Sequence, residues 1–305
     1  LETMATGMFI GKKNIYMERF TQQGGELRLL ASEEGAEIMH QMIKADEVCF
    51  IEPCENETTM EFFYILSGEL EIDGPCSPQI LETGDYLYVH QLKETVNFRT
   101  LTEVNMLYIS TFPQFNFLST TTKELLALTE QVKEKDKYTL LHNERVKEYA
   151  LKIADKLNLS NEQKRNILYA SLFHDVGKVD LPVELLNKKD SLTESEMELM
   201  REHPGIGADM LTDTHFAEIG EIILQHHERV DGSGYPGGLR GDEIMIEAQI
   251  IAVADVFDAM TTDRAYRPAI PVALAVEEMG LMKGILFGEK IIDTLFEILR
   301  EDGLL

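Results

Sequence analysis

Six of the eight histidines lie after residue 120, and the types around five of them suit metal chemistry. If residues 138–157 form a helix, His142 shares a stripe with Val146, Tyr149, Ala150 and Ile153, at helical offsets that turn it toward a core. His174 continues the face of Ile167, Ala170 and Ser171, and Asp175 follows it directly. His226 and His227 extend the stripe of Ile219, Ile222 and Ile223, while Asp255 shares one with Ile251, Asp258 and Ala259. His203 precedes Pro204, whose ring disfavours helical backbone at the residue before it, so a helix is expected to end there.

One inward histidine is ordinarily a hydrogen-bonded core residue. Five of them with two inward aspartates are another matter, because burying each without a partner costs about 1–3 kcal/mol. Cations supply a partner for every one. Mixed imidazole and carboxylate donors suit iron, manganese, zinc or nickel better than magnesium or calcium. Seven donors exceed the needs of one ion, and an aspartate can offer one oxygen to each of two. Paired ions, roughly 3.5–4 Å apart, would activate water and stabilise a phosphodiester under in-line attack.

The elements that must carry these residues have two grammars. Between Lys44 and Ser110 the chain reads as short strands, at 48–52, 62–66, 69–72, 86–89 and 106–109, separated by turn signals such as Ser67-Gly68 and Thr83-Gly84-Asp85. This predicts a small β-barrel or sandwich over residues 1–112. Residues 113–122, with Pro113 and the polar run Ser119 to Thr122, suit a linker. Residues 123–305 follow a helical period. Ser160 with Gln163, and Thr193 with Glu196, fit capping boxes, so helices should begin near 161 and 194.

Composition excludes several classes. The formal charge of −26 is spread over both halves, with 7 Lys and Arg against 19 Asp and Glu up to residue 120 and 21 against 35 beyond it. Neither half offers the cations that nucleic-acid binding requires. No apolar run reaches the roughly 18–20 residues of a membrane span, and no secretory signal is seen, so a cytoplasmic location is expected. Cys49, Cys54 and Cys76 form no CxxC pair and read as reduced thiols. Gly232 to Gly237 matches GxGxxG, but no strand is expected before it and Pro236 interrupts it, so a dinucleotide fold is rejected.

The motifs HDVGK (174–178), HPGIG (203–207), HHERVDGSGYPGGLRG (226–241) and IAVADVFDAMTTDRAYR (251–267) resemble the HD-GYP family, a branch of the HD phosphohydrolases, over about residues 136–300. The resemblance implies an all-α helical bundle that hydrolyses cyclic di-GMP to pGpG, and in many members onward to GMP, with a metal-bridging hydroxide. It implies one metal held by His142, His174, Asp175 and Asp255, and a second by Asp175, His203, His226 and His227. Iron is the first expectation and manganese the second, with nickel or zinc compatible. Asp175 and Lys178 take the catalytic roles. Lys178, Gly234, Tyr235, Pro236, Arg264 and Arg267 take the substrate. Family members with a third metal carry a glutamate four residues before the first histidine. That position is Tyr138 here, so two metals are expected. Diguanylate cyclases or other signalling proteins are the implied partners.

EFFYILSGE (61–69) followed by LETGDYLYV (81–89) resembles the cupin pattern. Where cupin enzymes place metal-binding histidines, this chain has Thr58, Thr59 and Thr95, with only His90 nearby. A sensory or dimerising role without metal is therefore expected, with Glu61 and His90 as ordinary polar residues, and helical pairing at the linker could make a homodimer. Two other readings stay open: the same chemistry on another cyclic dinucleotide such as cyclic GMP-AMP, and a catalytically silent effector that binds cyclic dinucleotide or a partner protein.

Overall fold

A computed structural model of the chain describes residues 2–5, 8–22, 24–54, 56, 58–73, 77–115, 118, 139–188, 190–212, 214, 216–263 and 268–305. Most of the expected linker, Cys76, Tyr138, Arg264 and Arg267 lie outside the described residues. The chain divides into two compact units, Leu1–Thr122 and Lys123–Leu305.

The first unit is built from antiparallel strands: β1 (Glu2–Ala5), β2 (Met8–Ile10), β3 (Glu18–Gln22), β4 (Gly25–Glu33), β5 (Ala36–Ile43), β6 (Val48–Ile51), β7 (Met60–Ser67), β8 (Leu70–Ile72), β9 (Gln79–Leu81), β10 (Tyr86–His90), β11 (Val96–Thr100) and β12 (Val104–Ser110). A six-stranded sheet runs β10-β7-β12-β5-β4-β3, a four-stranded sheet β6-β11-β8-β9, and β1 pairs with β2. The two larger sheets give the expected β-sandwich. Its side chains alternate with a period of two. On β12, Val104, Met106, Tyr108 and Ser110 are buried while the residues between them are half-exposed.

All five expected strands are present, and the described residues hold seven more. The β4–β5 hairpin turns on Glu34-Gly35, both with positive φ (49° and 86°), as a type I′ turn demands. Among the polar residues of this unit, Glu61 and Glu37 are buried. Glu61 accepts the Tyr108 hydroxyl, and His90 Nδ1 lies 3.2 Å from the Thr59 carbonyl.

The second unit is helical: α1 (Thr139–Lys156), α2 (Asn161–Phe173), α3 (Val183–Leu186), α4 (Glu194–Met200), α5 (His203–Leu211), α6 (Ala217–Gln225), α7 (Ile246–Thr261), α8 (Val272–Met282) and α9 (Glu289–Glu301), with 3-10 turns at Val176–Asp180 and Gly241–Glu243. Both expected capping boxes are formed, at Ser160 and Thr193. The central α7 is apolar nearly all round, burying Ile250, Ile251, Ala252, Val253, Ala254 and Phe257, so it must be covered by other helices. Against it pack Val146, Ala150 and Ile153 of α1 and Ile167 and Ala170 of α2, within one continuous core.

His203 corrects the sequence reading. It opens α5 and does not close a helix; the preceding α4 ends at Met200. Proline lacks an N–H and is at home in a first helical turn, where that donor would have no partner, so Pro204 marks a beginning.

Candidate metal centre

The polar residues of the second unit converge where helices end. His142 lies in the first turns of α1, His174 caps the C-terminus of α2, His203 starts α5 and His226 caps α6. His142, His174, Asp175, His203 and His226 are all buried. Neighbouring imidazole rings stand 4.0–5.5 Å apart between centroids.

Three of the rings are oriented in the same manner. Nδ1 of His174 donates to the Ser171 carbonyl at 2.9 Å, that of His203 to Met200 at 2.8 Å and that of His226 to Ile223 at 2.6 Å. A carbonyl accepts only, so the proton belongs on Nδ1 and each Nε2 keeps a lone pair. The Nε2 atoms of His203 and His226 face each other at 3.4 Å, and among the described residues the buried His174 Nε2 has no hydrogen-bond partner. Lone pairs gathered in this way are repulsive by themselves and favourable around a cation.

Two groups of donor atoms result. His142, His174 and Asp255 can bring one atom each within 4.8 Å of one another, and so can His203, His226 and His227. Asp175 lies between them, with Oδ1 3.4 Å from His203 Nε2 and Oδ2 3.6 Å from His174 Nε2. One carboxylate oxygen thus addresses each group. The residues fit a pair of divalent cations.

The protonation states agree. Burial pushes His203 down to about 4 and His226 down to about 3, and it holds His227 well below its ordinary value, so these rings are neutral. Burial would raise Asp175, but the Lys178 ammonium beside it outweighs that and holds the carboxyl well below the usual range. Asp255 is likewise held down, chiefly by its hydrogen bond with His142 against the effect of burial. Burial also acts to lower His142, yet hydrogen bonds to Asp255 and Asp258 prevail and raise it to about 9. A cation taking His142 Nε2 must therefore replace a proton.

Lys178 Nζ is 2.6 Å from Asp175 Oδ2, at the edge of this centre. Gly177, beside it, makes the geometry feasible. A Cβ there would lie 2.0 Å from the His203 carbonyl oxygen and 2.6 Å from the Gly207 nitrogen, so only glycine lets the turn after Asp175 abut the start of α5.

The loop holding Gly234, Tyr235 and Pro236 folds back on the histidine pair. The Tyr235 ring stacks on His227 with centroids 4.8 Å apart, and the Arg201 guanidinium lies 5.5 Å from the Tyr235 ring centre. Gly234 is pressed against the backbone of Glu228 and Arg229, where a Cβ would come within 2.4 Å. The buried Glu228 carboxylate accepts the amides of Gly237, Gly238 and Leu239 at 2.6–3.1 Å.

Several participants escaped the sequence reading. Asp258, noted only as a member of a helical stripe, bonds His142, and Arg145 grips Asp258 from α1. Arg201 and Glu228 were not singled out. The spacing of His142 with Arg145 and of Asp255 with Asp258, three residues apart on their helices, was the available signal.

One cluster of three histidines and one of two histidines with Asp255, with Asp175 between them, form a donor set suited to metal ions. The HD domain family profile matches residues 123–291, and the chain belongs to that family. Among curated proteins it is 37% identical over 227 residues to the cyclic di-GMP phosphodiesterase response regulator RpfG of Xanthomonas campestris, covering 72% of this chain and 59% of that one. It is 36% identical to a cyclic di-GMP phosphodiesterase of Thermotoga maritima, over 58% of this chain and 50% of the other. It is also 36% identical to the 3'3'-cGAMP-specific phosphodiesterase 2 of Vibrio cholerae, over 65% and 40%. The chain thus spans about half the length of the curated relatives it matches. Among solved structures, a cyclic GMP-AMP phosphodiesterase of V. cholerae aligns over 60% of this chain and 50% of the other with a TM-score of 0.47 and 17% identity. A cupin protein of Desulfovibrio desulfuricans aligns over 33% and 96%, with a TM-score of 0.28 and 19% identity. Among the described residues, no helix is long and apolar enough to cross a membrane.

Proposed function

We propose that the helical unit is a dinuclear metal phosphodiesterase acting on cyclic di-GMP and releasing pGpG. The observation that carries this reading is Asp175, whose two oxygens face separate donor clusters at 3.4 and 3.6 Å. His142, His174, Asp175 and Asp255 would hold one ion, and Asp175, His203, His226 and His227 the other, with iron first and manganese second among candidates. Ions bound there would supply Lewis acidity toward a phosphodiester and make water a nucleophile near neutral pH.

The chain's own residues then have distinct tasks. The carbonyl-anchored histidines keep their lone pairs inward without reorganisation. Lys178 places an ammonium beside Asp175, where it can neutralise a phosphate oxygen or give a proton to the leaving oxygen. Tyr235, stacked on His227 and neighboured by Arg201, offers a flat wall and a cation near the centre. Arg264 and Arg267 remain candidates for phosphate contacts. The β unit is a regulatory input: its buried Glu37 grips the amides of Gln114 and Phe115, where the chain leaves the last strand, each at 2.7 Å.

A second substrate, 3'3'-cGAMP, is kept because relatives named for it match nearly as well. The test is to load the purified chain with iron or manganese under reducing conditions and supply each dinucleotide in parallel. Appearance of pGpG, with or without GMP, supports the reading. Binding of cyclic di-GMP without cleavage would replace it with a silent effector, and cleavage of cGAMP alone would reassign the substrate.

A further inference from the structure

The histidines of the centre are anchored by two different devices. His174, His203 and His226 each use a carbonyl three residues earlier, so the helix ends supply their orientation. His142 instead places Nδ1 2.7 Å from Asp258 Oδ2, a carboxylate brought by α7. Asp258 is only 1% exposed and is itself clamped by Arg145, which reaches Oδ1 through Nε and Oδ2 through Nη2 at 3.1 Å, while the Thr262 hydroxyl adds a bond to Oδ1 at 3.3 Å. One turn earlier on α7, Asp255 lies 3.3 Å from the opposite nitrogen of the same ring. His142 is thus held edge to edge between two carboxylates of one helix.

The difference has chemical weight. A carbonyl selects a tautomer and an orientation, whereas a carboxylate also feeds charge into the ring and makes its free nitrogen a stronger donor. His142 belongs to the cluster with His174 and Asp255; His203 and His226 of the other cluster are both anchored by carbonyls. We infer that Asp258, steadied by Arg145, is a positioning residue that sets how tightly the half-site of His142, His174 and Asp255 holds its cation, while the half-site of His203, His226 and His227 keeps its affinity without it. This inference rests on the two-ion reading above.

The test uses the full chain, stripped by chelator and titrated anaerobically with Mn²⁺, with bound metal counted after desalting and the spin state read by electron paramagnetic resonance. The unaltered chain should take two ions and give the spectrum of a coupled pair. Asp258→Asn should lower the affinity of one ion roughly 10- to 100-fold. At a concentration that fills the unaltered chain, this variant should show one uncoupled Mn²⁺. Arg145→Gln should act in the same direction to a smaller extent, and Arg145→Lys should restore most of the coupled signal. Circular dichroism reports whether each variant is folded, and if Asp258→Asn is not, Arg145→Gln carries the comparison. Two tightly bound ions in the variants would overturn the inference. Simultaneous loss of both from a folded variant would overturn it as well. Failure of the unaltered chain to take up Mn²⁺ would instead refute the two-ion reading itself.

Discussion

Adding a single methyl group at Gly177 should disable the centre without touching a ligand. The new Cβ would stand 2.0 Å from the His203 carbonyl oxygen, whereas ordinary contact begins near 3.4 Å, so backbone must separate by about 1.4 Å. Both conflicting partners, His203 and Gly207, belong to α5, so the movement carries His203 away from Asp175. Donor atoms are tolerated within only about 0.2 Å of their ideal distances from a metal. Gly177→Ala should therefore lose the ion addressed by His203 and most turnover, while overpacking costs about 1–3 kcal/mol. At roughly 2–4 °C per kcal/mol for a unit of this size, the helical unit should melt several degrees lower yet stay folded at room temperature. Metal analysis, phosphodiesterase assay and calorimetry on one preparation would check this. Full metal content with unchanged turnover would refute the claim that this glycine is what brings Asp175 to His203.

Asp175→Ala should abolish binding of both ions and all hydrolysis, while Glu61→Ala in the β unit, which strands the Tyr108 hydroxyl, should cost about 1–3 kcal/mol there and leave turnover near normal; paired metal counts and rates decide. Stability of the chelated protein should depend on pH through His142. Its folded value of about 9 exceeds the ordinary value of 6.5, so its contribution is complete below 6.5 and disappears as pH rises through 9. The loss is roughly 3 kcal/mol, and a flat urea midpoint across that window would contradict it. Glu228→Gln should weaken the anchoring of three amides, seen as faster hydrogen exchange at Gly237, Gly238 and Leu239 together with a higher KM for the dinucleotide.

What the sequence disclosed follows from which interactions are periodic. The inward positions of His142, His174 and Asp255 were legible because helix burial repeats every 3.6 residues, and the capping boxes at 160 and 193 because their chemistry is local. His203 was misplaced because one proline signal serves both ends of a helix, and the helix it opens is defined by contacts with the Gly177 turn. Asp258 shared a visible stripe with Asp255, but its bond to His142 joins residues 116 apart, which no spacing encodes. In the β unit, Leu27 and Leu29 of β4 alternate with half-buried Glu26, Arg28 and Leu30, and Glu34-Gly35 forms the turn into β5, so this hairpin was legible too.

The carbonyl anchors of His174, His203 and His226 span three residues each and are made by the chain alone. The orientation of these three rings therefore comes from their own helix ends and not from a distant segment. If ions bind there as proposed, those three donors should keep their aim when an ion is removed or exchanged for another, so that supply in the surroundings would govern which element is carried.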